Sequence, residues 1–149
     1  MPPSPEPTAQ MRCLCATVRR AGRLLTGKYE EALRPAGMSV SQFELMMTIQ
    51  SIGVAGQGQL AQVLETDQTT LSRNIKLMLR ERWIEESKSA EDARRRTYSV
   101  SRLGSAVLAE AMRCWQRVHS EMGRLLPMAN LWPVLDQVLD AARQPSPRP

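Results

Sequence analysis

The sequence predicts a mainly α-helical fold carrying one two-stranded β-hairpin. Apolar side chains recur every three or four residues through most of the 149-residue chain, and turn or cap residues ("RPAG", Gly53, "GVAGQG") separate the stepped segments. Strand-like alternation of polar and apolar residues appears only in "IEESK" (84–88) and "TYSVS" (97–101).

Taken in order, residues 9–34 carry Leu14, Val18, Ala21, Leu25, Tyr29 and Ala32 on one stripe, which predicts a helix of about seven turns. "RPAG" (34–37) ends it, because the residue before a proline avoids the α region. "SVSQFELMMTIQSIG" opens on serines suited to N-capping and closes on Gly53, with Phe43, Met46, Met47 and Ile49 facing the core. A glycine-rich link leads to a short helix marked by Leu60, Val63 and Leu64. A further helix follows over 68–82, with Leu71, Ile75, Met78 and Leu79 on one face. The hairpin comes next, its strands joined by a long loop over 89–96 that projects as a wing. Val107, Leu108, Ala111, Trp115, Val118, Met122 and Leu125 then mark a helix over 104–125. Leu131, Val134, Leu135, Val138 and Leu139 mark a last helix, with Asn130 as its cap and Pro133 in its first turn. The Pro-rich stretches 1–8 and 144–149 read as disordered tails around a single domain over 9–143.

On a wheel of the 68–82 helix, Thr69, Arg73, Lys76 and Arg80 lie opposite the apolar face, flanked by Thr70. Hydroxyl groups and a helix N-terminus suit phosphate and base-edge contacts, and arginine can bond guanine through two hydrogen bonds. Net charge is +5, and residues 68–102 hold nine Lys/Arg against five Asp/Glu. Charge of this kind favours a polyanionic partner without specifying a fold. A short helix, a link, a hydroxyl-and-basic helix and a hairpin with "DARRR" near its tip together predict a winged helix-turn-helix over 38–103. In that reading Arg94, Arg95 and Arg96 contact DNA rather than merely solubilise a loop.

The stretches "SVSQFELMMTI", "LSRNIKLMLRERWIEE" and "DARRRTYSVSRLGSAVLAEAMRCW" resemble the MarR family of dimeric bacterial transcriptional regulators, and the resemblance runs over nearly all of 10–142. The family's wing pattern, D-x-R followed by a strand, a glycine and a long helix, falls on Asp92, Arg94, the strand to Ser101, Gly104 and the helix through Trp115. The resemblance implies that Arg94 enters the minor groove and that Asp92 shapes the wing. It also implies that Thr69, Thr70, Ser72, Arg73 and Lys76 face the major groove of a pseudo-palindromic double-stranded operator. It further implies a homodimer whose long terminal helices, 9–35 and 104–143, interlock. One departure stands out. The family usually has glycine just after the recognition helix, and Arg82 occupies that place here. Either an arginine adopts a left-handed cap there or the helix ends differently.

Family members release DNA when an anionic aromatic ligand or an oxidant acts on them. "LCATVRRAGRLLTGKY" resembles the first helix of the peroxide-sensing branch, with Cys15 at the reactive position and Tyr29 matching a supporting tyrosine. A second such tyrosine is replaced by Arg19. Cys13, Cys15 and Cys114 thus admit packing, thiol chemistry or soft-metal binding. Cys13 and Cys15 lie about 200° apart on a helix and cannot grip one ion together unless the helix start unwinds or a partner subunit supplies ligands, so no metal is assumed; no cofactor is predicted. The family's small-molecule pocket lies between the dimer helices and the DNA-binding lobe. Candidate lining residues for an inducer are Arg19, Arg20, Arg23, Met46 and Trp115.

Enzyme classes find no support: there is no Gly-rich phosphate loop, no H-E-x-x-H and a single histidine, His119. No signal peptide or membrane span is visible, which predicts a cytoplasmic protein. The rival reading is a winged-helix module that binds proteins rather than an operator.

Overall fold

Residues 13–92 and 94–145 are described by the computed structural model; the tail expected at 1–8 and residues 146–149 of the other lie outside them. The element order is α1 (Leu14–Leu33), α2 (Val40–Ile52), β1 (Ala55–Gly56), α3 (Gln57–Leu64), α4 (Gln68–Arg80), β2 (Ile84–Lys88), β3 (Arg96–Val100), α5 (Arg102–Leu125) and α6 (Met128–Arg143). One 3₁₀ turn, Arg34–Ala36, closes α1 and hands over to α2 through Gly37 at φ 67°.

Helix α2 is the centre of the core, with Phe43, Leu45, Met46 and Ile49 all buried. Its start is satisfied twice. Ser39 and Gln42 form a reciprocal capping box, and the Val40 N–H donates to Glu30 Oε1 at 2.9 Å. Against α2 pack Leu71, Ile75 and Met78 of α4, Ile84 and Tyr98 of the sheet, and Leu108, Ala111 and Cys114 of α5. The periodicity of α4 and α5 is therefore satisfied inside the chain. In α3 only Leu60 is buried, and Val63 stays exposed.

The sheet has three strands rather than two, in the order β1–β3–β2. Ala55 and Gly56, read from the sequence as part of a link, pair with Tyr98 and Thr97. Two residues are too few to show alternation, so only the long-range pairing reveals β1. The hairpin itself runs in the register Ile84↔Val100 to Lys88↔Arg96.

Arg82 resolves the expected alternatives by adopting the left-handed conformation, at φ 59°. The Trp83 N–H donates to the Met78 carbonyl at 2.9 Å and the Arg82 N–H to the Leu79 carbonyl at 3.1 Å. This paired pattern is the Schellman ending that glycine usually serves. The junction is tightened by Ser101, which caps α5 by accepting from the Gly104 N–H at 2.8 Å. Its hydroxyl also donates to the Arg82 carbonyl at 2.6 Å.

One expectation for the end helices needs correction. Asn130 does not cap α6: the helix begins at Met128 after Pro127, without a side-chain cap, and Pro133 sits in its second turn. The backbone turn at Leu126–Pro127, where the Met128 N–H reaches the Leu126 carbonyl, starts the helix early. The apolar stripe of α1, which the resemblance assigns to a contact between subunits, is not buried within the chain. Leu14, Val18 and Leu25 are exposed, and Leu33 alone among α1 residues is buried. No side chain of α6 is buried.

Candidate nucleic-acid interface

Helix α4 starts with Asp67, whose Oδ1 accepts from the Thr70 N–H at 2.8 Å. That bond and the neighbouring amides hold the Asp67 carboxyl below its ordinary range, keeping it charged at the positive end of the helix. Because Leu71, Ile75 and Met78 bury one face, Thr69, Thr70, Arg73 and Lys76 are exposed on the other. Gln68, Thr69, Ser72, Arg73 and Lys76 share one open depression on this face. Ser72 is less free than the wheel implies: its hydroxyl accepts from Gln57 Nε2 at 2.7 Å, and the same amide reaches Gln68 Oε1 at 3.1 Å. Gln57, at the start of α3, thus steadies the first turns of α4. Gln57 and Gln68 were not picked out from the sequence. The signal available was amide chemistry beside a recognition helix, since Gln side chains bond adenine edges.

At the wing, Asp92 organises the turn. Its Oδ1 accepts from the Arg94 N–H at 2.9 Å, its carbonyl accepts from the Arg95 N–H at 2.9 Å, and its second carboxylate oxygen lies 3.7 Å from Arg95 Nε. The three arginines are therefore unequal. Arg96 pairs across the strands with Glu86 at 3.3 Å, and Arg95 leans on Asp92. Arg94 is exposed and has no carboxylate partner among the described residues. Lys88, Arg95 and Arg96 also border a polar concavity between the wing and the start of α3. Cations and amides gather on this side of the molecule, next to the exposed Val54.

The residues expected to sense a signal are spread out. Cys13 and Cys15 are exposed near the start of α1, whereas Cys114 is buried in the core, with Arg117 Nη2 3.6 Å from its sulfur. Tyr29 turns to α5 instead of towards a cysteine: its hydroxyl lies 3.2 Å from His119 Nδ1. Fourteen residues of helix separate it from Cys15, about 21 Å along the axis. Among the described residues no cluster of His, Cys, Asp or Glu could hold a metal ion.

A cavity of about 600 Å³ opens between α1, α2, α5 and α6. Of the five lining residues expected, only Trp115 borders it. Arg19, Arg20 and Arg23 lie exposed on α1, nearer its start than the cavity-facing Leu25, Thr26 and Tyr29, and Met46 is fully buried in the core. The wheel could place Met46 on α2 but not say which of its neighbours would cover it.

The comparisons with known proteins agree with this geometry. Residues 38–95 match the MarR family model. The M. tuberculosis transcriptional regulator MosR, solved in complex with DNA, is 31% identical at a TM-score of 0.74, with 89% of this chain and 100% of MosR covered. A mutant MarR from E. coli complexed with operator DNA is 22% identical, at a TM-score of 0.73 and coverage of 86% and 99%. BldR, a transcriptional regulator from Sulfolobus solfataricus, is 17% identical, at 0.77 and coverage of 86% and 93%. At those lower identities the likeness is one of fold. No curated protein sequence matches the chain. Identity of 31% sustained over the whole of a solved relative, together with the matched segment 38–95, places this chain in the MarR family of winged-helix transcriptional regulators.

Proposed function

We propose that the chain works as a homodimeric repressor of a pseudo-palindromic operator, in the cytoplasm, and leaves DNA when a small molecule enters the cavity beside α5. The observation that carries the DNA reading is the pairing of two exposed elements. The α4 face bearing Thr69, Arg73 and Lys76 suits a major groove, and the exposed Arg94 on the Asp92-built turn, with no carboxylate partner among the described residues, suits the minor groove beside it. That MosR was solved with DNA supports the same reading. The dimer rests on a different feature. Of twelve exposed large hydrophobic residues among the described ones, ten lie on α1, α5, α6 or the link after α5. Two recognition helices related by a dimer axis would meet half-sites about one helical turn apart.

A ligand is the better-supported trigger than an oxidant, because Tyr29 is engaged by His119 and its hydroxyl lies beside the cavity. Gel shifts on the promoter fragment upstream of the protein's own gene test the DNA reading. Six to ten phosphate contacts predict that affinity falls by about 10³–10⁵ between 50 and 200 mM salt. Binding that ignores salt would instead favour a winged-helix module for protein partners. Release by a small organic peroxide from wild type but not from Cys15→Ser would move the trigger to the thiol.

A further inference from the structure

The α1–α2–α5–α6 cavity has a composition the chain as a whole does not. The sequence contains six aromatic residues, and four of them, Tyr29, Phe43, Trp115 and Trp132, line this one space. Phe43 and Trp115 stack at 6.1 Å between ring centroids, and His119 stacks on Trp115 at 4.3 Å. In an ordinary core such a row would be closed over by its neighbours. Here the rings border about 600 Å³ of open volume, within the range of drug-sized ligand sites.

The charge of the lining is the second observation. Among the described residues Glu44 is the one Asp, Glu, Lys or Arg that borders the cavity, and His119 is its one imidazole. The nearest lysine on α1, Lys28, is held by Glu121 at 2.8 Å. The three arginines expected to greet an anion lie outside. An anion entering would lose its hydration, find no described lysine or arginine in its place and face a carboxylate. A cation would meet a carboxylate and an aromatic lining in which Trp115 already stacks with Phe43 and His119, leaving Tyr29 and Trp132 as the rings outside that stack.

We propose that this cavity binds a bulky aromatic cation, with its charge matched by Glu44 and its apolar surface by Tyr29, Phe43, Trp115 and Trp132. The proposal rests on the reading of the cavity as the inducer site and specifies the ligand's chemical class. It also reverses the sign expected from the family resemblance, which pointed to an anionic aromatic.

Tetraphenylphosphonium and tetraphenylborate have nearly the same size and shape and opposite charge, so they isolate sign from hydrophobicity. Trp115 and Trp132 line the cavity and provide a fluorescence signal on the full-length protein. The expected result is quenching by the phosphonium at roughly ten-fold lower concentration than by the borate. A net charge of +5 would by itself favour the borate, so the expected order runs against the overall field. Glu44→Gln, at an exposed position that leaves the core untouched, should bring the two ions to near-equal affinity. The proposal is overturned by equal or reversed preference in wild type, or by a preference that survives Glu44→Gln. It is also overturned if neither ion quenches, in which case a second copy of the chain fills the space.

A parallel gel shift keeps the two readings apart. Phosphonium bound without loss of the DNA complex would keep the ligand class and remove the release mechanism. Release by the borate would keep release and sink the cation.

Discussion

Arg82 and Arg94 show how single residues set local behaviour here. Arg82 holds a left-handed conformation because the end of α4 leaves carbonyls that the Arg82 and Trp83 amides must reach. The Cβ of any non-glycine residue is crowded there, at a cost of about 1–2 kcal/mol, part of which glycine's greater freedom in the unfolded chain would offset. Arg82→Gly is therefore expected to stabilise the protein by about 0.5–1 kcal/mol, read from the denaturant midpoint at unchanged slope. Arg94 and Arg96 are two residues apart and have different partners. Arg94→Ala should weaken operator binding by roughly ten-fold or more, because nothing else occupies that guanidinium. Arg96→Ala should weaken it much less, since Arg96 already pairs with Glu86. A titration in which both variants bind alike would remove the distinction between free and engaged arginines.

Among the elements, α4 depends on its first turn and the hairpin on its junction with α5. Asp67 is more acidic folded than unfolded, owing to the bonds from Thr70. It therefore stabilises the fold at all pH values above its ordinary 3.8, and that contribution disappears as pH falls from there through the depressed value. Asp67→Ala should lose stability at neutral pH, with the gap to wild type closing in acid; a gap that held constant with pH would show that the carboxylate's charge is not what matters. At the junction, a Cβ on Gly104 would sit 1.9 Å from the Trp83 carbonyl oxygen, so backbone rather than a flexible side chain stands in the way. Gly104→Ala must push α5 off the base of the wing. The expected loss is about 1–3 kcal/mol, measured by thermal or denaturant unfolding. The same junction carries the Ser101 bond to the Arg82 carbonyl, so α4, the wing and α5 move as neighbours.

For the whole molecule, the exposed apolar surface gathers on α1, α5, α6 and the link between the last two, the surface that the proposed dimer would cover. The stripe read along α1 has the right period and yet buries almost nothing within the chain. Leaving Leu14, Val18 and Leu25 in water forgoes on the order of 1.5–3 kcal/mol for each side chain that a second subunit could bury. Val18→Glu should shift the protein from dimer to monomer in sedimentation and abolish operator binding while far-UV circular dichroism still reports a folded helical domain. A variant that remains dimeric would move the interface off α1. A second whole-molecule link runs from the end of α6 to the turn before α4: Arg143 Nε lies 2.7 Å from Glu65 Oε1, and Nη2 lies 3.3 Å from Oε2. Four residues of α6, Met128, Leu131, Trp132 and Leu135, line the cavity together with Leu126 in the preceding link. This helix therefore touches both the candidate ligand space and the helix-turn-helix corner, a route by which occupancy could reach α4.

What the sequence determined by itself was local: the helix period, the caps at Ser39 and Gly53, the hairpin, and the α4 face with Arg73 and Lys76 opposite Leu71 and Ile75. Each is legible because a period of 3.6 or 2 fixes which side chains share a face within a few residues. The tertiary structure decided the rest. The pairing of Ala55 with Tyr98, the hold of Glu86 on Arg96 and the bond between Tyr29 and His119 join residues far apart in the chain. The cavity draws its lining from Leu25 to Leu135, and its charge is the sum over four helices. Helical periodicity placed three arginines on α1, but only the packing of α1 against α2 and α5 could leave them outside and Glu44 at the rim.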